Sequence, residues 1–282
     1  CQFIGWWQGI KGRVHGEHGW DVNDLGGCNP KFQTLRRLFR PFIHHYIALS
    51  TEAKDYLRDK IKVKPERISH ICNGVDRDKF AISQTSPNIL PKQFTEPHNL
   101  IFGTVGRLAD VKNQPYLLDA FIALRNQLPE QSDRLKLVIV GEGVLRQKLE
   151  AKISEANIQQ HVFLAGNQQN VAQWMGAMHV FVLPSLAEGI SNTILEAMAS
   201  SLPVIATKVG GNPDLIMPEL ADSHLVSSDN VQELADAMAQ YAQDNKKLTK
   251  NSLQVREHCV KHFSIENMVN QYHKLYQKLG NR

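Results

Sequence analysis

Beyond residue 98 the chain alternates between short apolar runs and longer segments whose apolar residues recur every three or four positions. The apolar runs are typical of strands buried on both faces of a parallel sheet, and the longer segments are typical of the helices that cover such a sheet. The pattern predicts strands at 100–106, 135–141, 161–166, 179–185, 202–207 and 223–227, with helices over 113–128, 145–156, 171–178 and 192–200. This alternation indicates a doubly wound α/β domain, in which ligands bind at the carboxyl ends of the strands.

The first part of the chain has a weaker pattern. We predict strands at 12–16, 45–50 and 68–76 and helices over 31–42 and 51–60. Two or three strands are few for a complete α/β domain, so we expect an incomplete first domain whose missing portion lies upstream of Cys1. Residues 81–97 contain three prolines and no sustained period, which is typical of a linker.

The end of the chain is predicted to be helical, over 231–243, 248–262 and 265–279. We therefore divide the chain into a partial first domain with its linker (1–92), a second domain (93–264) and a C-terminal helix (265–282).

Composition limits the kinds of protein that this chain can be. At 282 residues and 42% hydrophobic, it is long enough to bury two cores. It contains no apolar run long enough to span a membrane and no secretory signal at its start, so we predict a cytoplasmic protein. The four cysteines share no short spacing, which favours neither a zinc site nor a redox pair.

The net charge of +4 is concentrated in one segment. Between residues 31 and 64, nine basic residues face three acidic ones, and Arg36, Arg37 and Arg40 lie beside Leu38. A basic amphipathic segment of this kind can bind an anionic membrane, which would be a peripheral contact with the inner membrane face. The alternative is a solvated helix with an ordinary basic surface. The charge is local and no nucleic-acid-binding motif accompanies it, so we predict no nucleic-acid partner.

Two carboxylates eight positions apart are the most suggestive feature of the second domain. Glu188 lies in a loop of small residues after a predicted strand, where it can accept hydrogen bonds from sugar hydroxyls. Glu196 lies inside the following helix, where it can reach a ribose. Its neighbours are apolar, and a buried charge needs a partner, which indicates a nearby ligand or cation. The alternative for Glu196 is a surface carboxylate.

The loop between these carboxylates offers backbone N–H groups to a phosphate. Because it leads into a helix, those groups and the positive end of the helix dipole can bind an anion. An ordinary N-cap role for Ser191 or Asn192 is compatible with this. The residues concerned are Gly189, Ile190, Ser191, Asn192 and Thr193.

Two cations follow the first strand of the second domain. Gly106 ends that strand and permits the close approach of a ligand, while Arg107 and Lys112 supply the charge that a diphosphate needs. The alternative is that both cations are merely exposed. A glycine pair within 209–212 lies before a further helix and opens beside the same crevice. The alternative is that this pair forms only a turn.

Together these motifs resemble, in order and in spacing, those of family 4 glycosyltransferases. The similar segments are Arg107 with Lys112, EGISNTILEAMA (188–199), LPVIAT (202–207) and VGGNPDLI (209–216). The resemblance covers 70–280 well and the preceding part more loosely, where GEHGWD resembles the segment with the first-domain histidine of bacterial exopolysaccharide sugar transferases. It implies the GT-B fold, an α/β architecture in which two Rossmann-like domains face a cleft, with the first domain incomplete here.

The resemblance implies a role for each candidate residue of the second domain. Arg107 and Lys112 are expected to hold the donor diphosphate, Glu188 to contact the donor sugar, and Glu196 to contact the ribose. The backbone of 189–193 is expected to surround the sugar and the phosphate.

Two further positions follow from the resemblance alone. The nucleobase is expected to pack near residues 165–167, around Gly166, and His18 is expected to lie near the transferred sugar. His15 is the alternative for this histidine, and either one can be a plain surface residue.

The function that the resemblance implies is that of a retaining, hexosyltransferase-type glycosyltransferase. Its donor is a nucleoside diphosphate sugar, its acceptor is a saccharide or lipid-linked molecule, and it needs neither a cofactor nor a metal ion. The product belongs to polysaccharide or glycoconjugate biosynthesis. Two alternatives are a nucleotide-sugar epimerase and a fragment that binds the nucleotide sugar without catalysis, since an incomplete first domain can impair transfer.

Overall fold

The chain forms two parallel β-sheets in a computed structural model that describes residues 2–19, 24, 27–81 and 89–280. The first sheet has the order β1-β2-β3 and the second has the order β6-β5-β4-β7-β8-β9. The strands are β1 Val14–Glu17, β2 His45–Ala48, β3 Ile68–His70, β4 Leu100–Val105, β5 Leu135–Val140, β6 Val162–Gly166, β7 Val180–Leu183, β8 Val204–Thr207 and β9 Leu225–Val226. The predicted α/β class, with one parallel sheet in each half of the chain, is confirmed.

Helices connect the strands and extend the chain beyond them. They are α1 Gln2–Trp7, α2 Pro30–Phe39, α3 Thr51–Asp59, α4 Gln114–Gln127, α5 Arg146–Glu155, α6 Val171–Gly176, α7 Asn192–Ala199, α8 Asn212–Leu215, α9 Pro218–His224, α10 Val231–Gln243, α11 Asn245–His262 and α12 Ile265–Gly280. Among the residues that the structure describes, no helix is both long and apolar enough to span a membrane.

The second sheet is buried on both faces because its strands are apolar at successive positions. Leu100 and Phe102 of β4 pack in a core with α4, α5 and α10, whereas Ile101 and Val105 of the same strand pack in a second core with α6, α7 and α11. Strand order runs outward from β4 to β6 in one direction and from β7 to β9 in the other. The crevice between the carboxyl ends of β4 and β7 is therefore the switch point at which doubly wound domains bind ligands.

The first sheet is covered by helices from both ends of the chain. On one face, Leu57 and Ile61 from α3 and the turn after it pack against Tyr46 and Ala48 of β2. On the other face, α12 returns from the end of the chain, and its residues Leu275 and Leu279 pack against Ile47, Leu49 and Ile71. The C-terminal helix thus contributes to the core of the first domain.

Several predicted elements are shorter than expected. The helix predicted over 31–42 ends at Phe39 and continues as a 3-10 turn over Arg40–Phe42, because Pro41 interrupts the α-helical hydrogen bonds. The strand predicted over 68–76 ends at His70, and the strand predicted over 223–227 is only Leu225–Val226. Part of the predicted linker, residues 82–88, lies outside the described residues.

Candidate functional site

The loops that follow the strands of the two sheets meet one another. Gly189, after β7, contacts the backbone of His18, after β1. The N–H group of Thr51, after β2, donates to Asp214 in α8, which follows β8. The carboxyl ends of the two sheets therefore face a common junction, and most of the candidate residues lie there.

Lys112 and Glu188 form an ion pair at the switch point of the second sheet. Lys112 Nζ lies 2.6 Å from Glu188 Oε1, and the hydroxyl of Ser185 donates to the same oxygen at 2.6 Å. The side chains of Lys112 and Glu188 are only 25% and 10% exposed. Glu188 is therefore held in one orientation by two donors, in a place where water screens its charge poorly.

Local backbone geometry aims Lys112 at this carboxylate. The chain leaves β4 at Val105 and turns back through a 3-10 helix, Asp110–Lys112, before α4 begins. Asn113 takes the left-handed conformation at φ 53°, which ends that turn. Since β4 and β7 are hydrogen-bonded neighbours, the side chain of Lys112 reaches the loop that follows β7.

Arg107 lies at the rim of the crevice and is exposed. Its backbone is held, because its carbonyl accepts from Gln114 Nε2 at 3.0 Å and the N–H group of Gly106 donates to Val140 at 2.9 Å. A side chain at Gly141 would collide with the carbonyl of Gly106, which shows how closely these two strand ends pack. The guanidinium of Arg107 makes no hydrogen bond to Glu188 within the described part of the chain.

The glycine pair after β8 packs directly on the 188–189 backbone. The N–H group of Gly211 donates to the carbonyl of Gly189 at 2.9 Å. Gly210 has φ 55°, and a Cβ atom there would collide with the carbonyl of Glu188. A Cβ atom on Gly211 would lie 2.5 Å from the carbonyl oxygen of Gly189. Only glycine permits this contact, so the turn fixes the position of the residues that carry the site.

The first domain approaches the same residues through His18. A Cβ atom on Gly189 would collide with the His18 carbonyl, and one on Gly19, whose φ is 133°, would lie 2.9 Å from Gly189 Cα. The His18 side chain is exposed, and its Nε2 atom packs over Gly16. The structure therefore brings His18 against the 188–193 segment.

The side chain of His15 lies among first-domain residues and not beside the 188–193 segment. Its Nε2 atom lies 3.8 Å from Glu17 Oε2, and its ring makes an edge contact with Tyr46 at 5.7 Å between centroids. It lines a cavity of about 280 Å³ together with Glu17 and Arg36, beneath α2 and α3. Burial by itself raises the pKa of Glu17, but His15 and Arg36 together lower it below its ordinary value.

Glu196 faces the segment 73–80, which lies between the first sheet and the linker. It lines a cavity of about 430 Å³ with Asn73, Asp76 and Lys79. Burial raises the pKa of Glu196, and the charge of Lys79 opposes that rise only in part. Asn192, one turn earlier on the same helix face, accepts a hydrogen bond from Asn73 Nδ2 at 2.8 Å. Within the described residues, no hydrogen bond joins Glu196 to Lys112 or Glu188.

The segment before α7 uses its side chains structurally. Ser191 is the N-cap, since its hydroxyl accepts from the Ile194 N–H group at 3.4 Å and lies 3.0 Å from the Thr193 hydroxyl. Ile190 packs beside the first-domain cluster that contains Leu49 and Ile71. From the sequence, Ile190 was expected to contribute only its backbone N–H group. No local pattern predicts that its side chain packs against residues so distant in the chain.

Gly166 lies at the end of β6, and its φ is 72°. Its carbonyl accepts from the Gly141 N–H group at 2.8 Å, and a Cβ atom there would lie 3.8 Å from Glu142 Oε2. Glu142 forms an ion pair with Arg146 at 2.9 Å. The position predicted for the nucleobase is therefore an open strand end beside a charged pair.

The expectation of metal-free chemistry was supported in part by the absence of an Asp-x-Asp sequence, and that interpretation was wrong because the chain contains one. It lies at Asp76–Asp78, before the linker, where Asp76 Oδ1 accepts from the N–H groups of Asp78 and Lys79 at 3.0 and 2.9 Å. This carboxylate oxygen therefore stabilises the turn that follows Asp76.

The arginines of the basic segment make internal contacts. Arg36 donates to the buried Glu17 at 3.0 Å, Arg37 donates to the Lys60 carbonyl at 2.7 Å, and Arg40 donates to the Lys62 carbonyl at 2.7 Å. The Lys60 carbonyl belongs to the C-terminal cap of α3, where cations stabilise the helix, and the Lys62 carbonyl lies in the turn after it. Leu38 is 66% exposed on α2.

Comparison with known proteins gives two family matches. A family described as Glycosyl transferases group 1 matches residues 99–244, and one described as Glycosyltransferase Family 4 matches residues 3–79. Together they cover both sheets.

Two named relatives are bacterial transferases. The UDP-Gal:alpha-D-GlcNAc-diphosphoundecaprenol alpha-1,3-galactosyltransferase of Escherichia coli is 32% identical over 234 residues, which are 82% of this chain and 59% of the relative. The N-acetylgalactosamine-N,N'-diacetylbacillosaminyl-diphospho-undecaprenol 4-alpha-N-acetylgalactosaminyltransferase of Campylobacter jejuni is 28% identical over 209 residues, 72% of this chain and 53% of the relative. The chain thus spans less than two thirds of either relative.

Two solved structures share the arrangement of both domains. Anabaena HepE in complex with UDP superposes with a TM-score of 0.83 at 21% identity, over 99% of this chain and 75% of that protein. Sucrose-phosphate synthase from Thermosynechococcus elongatus superposes with a TM-score of 0.77 at 22% identity, over 99% of this chain and 71% of that protein. At such identities the likeness concerns the fold.

Proposed function

The chain belongs to family 4 of the glycosyltransferases and has their GT-B fold, and on that premise we propose that it transfers a sugar from a nucleoside diphosphate sugar to a saccharide or lipid-linked acceptor. The product would serve polysaccharide or glycoconjugate biosynthesis, as the names of its relatives suggest. The observation that carries the proposal is the Lys112–Glu188 ion pair at the switch point of the second sheet.

Lys112 and Arg107 bind the diphosphate of the donor. An ammonium group has three N–H donors, so Lys112 can keep its hydrogen bond to Glu188 and still donate to phosphate oxygens. Arg107 is exposed at the rim, where its guanidinium can turn onto the same group. As the bond to the sugar breaks, these cations and the N–H groups before α7 stabilise the charge on the leaving diphosphate.

Glu188 orients the donor sugar. Lys112 and Ser185 hold its Oε1 atom, which fixes the plane of the carboxylate before a sugar hydroxyl arrives. The same two contacts weaken it as a nucleophile, because they draw charge from the oxygen. This argues against a covalent intermediate on Glu188. Retention itself is what the resemblance to family 4 implies, so we propose that the acceptor attacks from the face that the diphosphate leaves, and NMR of the anomeric proton in the first-formed product tests retention.

Uridine diphosphate is the nucleotide that we propose for the donor. HepE was crystallised with UDP, and the E. coli relative is named for UDP-Gal. Calorimetric titration of the chain with UDP, GDP and ADP tests this choice, and we expect heat from UDP alone. Binding of none of the three would contradict a nucleotide-sugar site altogether.

The acceptor assay separates transfer from the alternatives. With UDP-sugars and a panel of diphosphoundecaprenol-linked and free saccharides, we expect a product only when donor and acceptor are both present. An epimerase would convert the donor without any acceptor, and a binding fragment would leave it unchanged. Nothing in the geometry of the described residues favours either alternative.

We further propose a peripheral contact of residues 31–64 with the inner membrane face, which would bring a lipid-linked acceptor within reach. The exposed side chains of Leu38, Lys60, Lys62 and Lys64 support it, although Arg36, Arg37 and Arg40 are engaged internally. Sedimentation with vesicles that contain anionic phospholipid tests it. We expect binding that weakens as salt rises, and equal binding to neutral vesicles would contradict it.

A further inference from the structure

Asp214 completes the amino end of a helix in the other domain. Its Oδ2 atom accepts a hydrogen bond of 2.6 Å from the backbone N–H of Thr51, the first residue of α3. The first N–H groups of a helix have no partner within the helix, and a negative charge beside them is favourable. The Ser50 hydroxyl already accepts from the Ala53 N–H at 3.1 Å, so side chains of two domains share this helix end.

Asp214 is also tied to the residues that carry the site. Its own N–H donates to the Gly211 carbonyl at 3.1 Å, and the Gly211 N–H donates to the Gly189 carbonyl at 2.9 Å. The base of this turn is fixed by Asn212, whose fully buried amide donates to the Thr207 carbonyl at 3.0 Å. The Asp214 carboxylate and the 188–193 segment are thus parts of one hydrogen-bonded unit.

The surroundings of the contact leave little room for adjustment. A Cβ atom on Gly211 would lie 2.9 Å from Ser50 Cβ, the residue that caps α3. Ile190 packs against the first-domain cluster that contains Leu49, the residue before that cap. The Asp214 side chain is 19% exposed, and His70 Nε2 lies 3.9 Å from its Oδ2 atom. The first domain therefore contacts both the turn and the 188–193 segment near the start of α3.

We propose that Asp214 is a positioning residue for the transfer reaction. By holding the amino end of α3, it sets where the 188–193 segment lies relative to the carboxyl ends of the first-domain strands, which include His18. The consequence for transfer rests on the function proposed above. Because Arg107, Lys112 and Glu188 all belong to the second domain, loss of the contact should impair transfer while nucleotide affinity stays the same.

A proline at position 51 removes the donor of this hydrogen bond with little other change. Thr51 is the first residue of α3, where proline is well tolerated because its φ suits the helix. Ser50 has φ −134° and ψ 162°, which is the extended conformation that a residue before proline prefers. Thr51→Ala is the matched control, since it alters the same side chain and keeps the N–H group.

We expect Thr51→Pro to lower kcat for transfer about tenfold, because the reacting groups of the two domains are held less accurately, with the Kd for UDP within about twofold of the wild type. Asp214→Ala should have the same effect, and the double variant should be no worse than either single one, because both remove the same bond. Additive losses, or full transfer by Thr51→Pro, would overturn the proposal.

Hydrogen exchange gives a test that does not depend on transfer. Without any nucleotide, the amides of 188–193 should exchange faster in Thr51→Pro than in Thr51→Ala, although both variants unfold at a similar temperature. Equal exchange in this segment would overturn the positioning role even if transfer were slowed. A wild-type chain that binds no nucleotide would instead refute the function proposed above, and the exchange comparison would still decide the role of Asp214.

Discussion

Lys112 Nζ and Glu188 Oε1 lie 2.6 Å apart although 76 positions of the chain separate the two residues. Each residue follows a strand, and β4 and β7 are hydrogen-bonded neighbours that are not consecutive in the chain. A cation and a carboxylate are thereby paired at the one place in the second sheet where the strand order reverses. Such a pair can face a ligand that carries both phosphate and hydroxyl groups.

Glu188 variants test the role of the carboxylate. We expect Glu188→Ala and Glu188→Gln each to lower kcat/KM for transfer by about 10² to 10³, because both remove the charge that orients the sugar and holds Lys112. The chain should remain folded, since the site is not in the core. Glu150→Gln is a suitable control, because Glu150 also pairs with a cation, Arg146 at 2.8 Å, but on the outer face of α5. Near-full activity in both Glu188 variants would contradict the site.

Lys112 is expected to act on the diphosphate and not on the nucleoside. Lys112→Met should weaken the Kd for UDP by about 10- to 100-fold and leave any binding of uridine unchanged, because only the charged ligand loses a charge-assisted hydrogen bond. Lys152→Met is the matched control, since Lys152 forms a similarly short ion pair with Asp119 at 2.5 Å between α5 and α4. Calorimetry measures both ligands. Equal losses for UDP and uridine would point to a general disruption of the domain.

The glycine turn on the 188–189 backbone gives a test of packing. Gly210→Ala should reduce the free energy of unfolding by about 2 to 4 kcal/mol, because the new Cβ atom collides with the Glu188 carbonyl at a φ that disfavours side chains. Gly9 also has a positive φ, 72°, but nothing lies within 4 Å of a Cβ atom there. Gly9→Ala should therefore cost only about 1 kcal/mol. Denaturant unfolding of both variants separates the cost of the positive φ from the cost of the collision. Equal losses of unfolding free energy in the two variants would exclude a contribution from the collision.

The second domain could be predicted from the sequence because its signal is local. Runs such as 100–106 and 135–141 are apolar throughout, and the strands found at Leu100–Val105 and Leu135–Val140 end within one residue of the prediction. The helix expected after the glycine pair is the short α8, Asn212–Leu215. The helix α9, Pro218–His224, was not predicted, because its seven residues are too few to show a helical period.

The candidate site could be predicted only in part, because its contacts join distant positions. The carboxylate at Glu188 and the cation at Lys112 were found from their places after strands and from family resemblance. The contact of Asp214 with Thr51 spans 163 positions, and no sequence motif contains both residues. The packing of Ile190 beside the first-domain cluster is equally distant in sequence. Such contacts depend on how the two sheets meet, which no local pattern reports.

A buried histidine should make the second domain sensitive to acid. His224 is 1% exposed, and burial lowers its pKa to about 4. Its Nδ1 atom lies 3.0 Å from the Leu220 carbonyl and 2.8 Å from the Ser223 hydroxyl. Because the carbonyl can only accept and the hydroxyl can itself donate to that carbonyl at 3.3 Å, we place the proton on Nδ1. Its Nε2 atom then accepts from the Tyr241 hydroxyl, and that hydroxyl accepts from Asn251 Nδ2 at 2.8 Å. A second proton on Nε2 would break this chain of bonds.

The sign of the effect follows from proton uptake. Between pH 6.5 and about 4, His224 is protonated in the unfolded chain but not in the folded chain. The free energy of unfolding therefore falls as the pH falls through this range. The full loss from this residue is about 3 kcal/mol. Denaturant unfolding at pH 7, 5.5 and 4 measures it, with His224→Gln as the comparison, because glutamine can also donate to Leu220 and accept from Tyr241 but does not titrate. The carboxylates contribute equally to the pH dependence of both proteins, so the difference between the two profiles of unfolding free energy is due to His224. Parallel profiles would contradict this account.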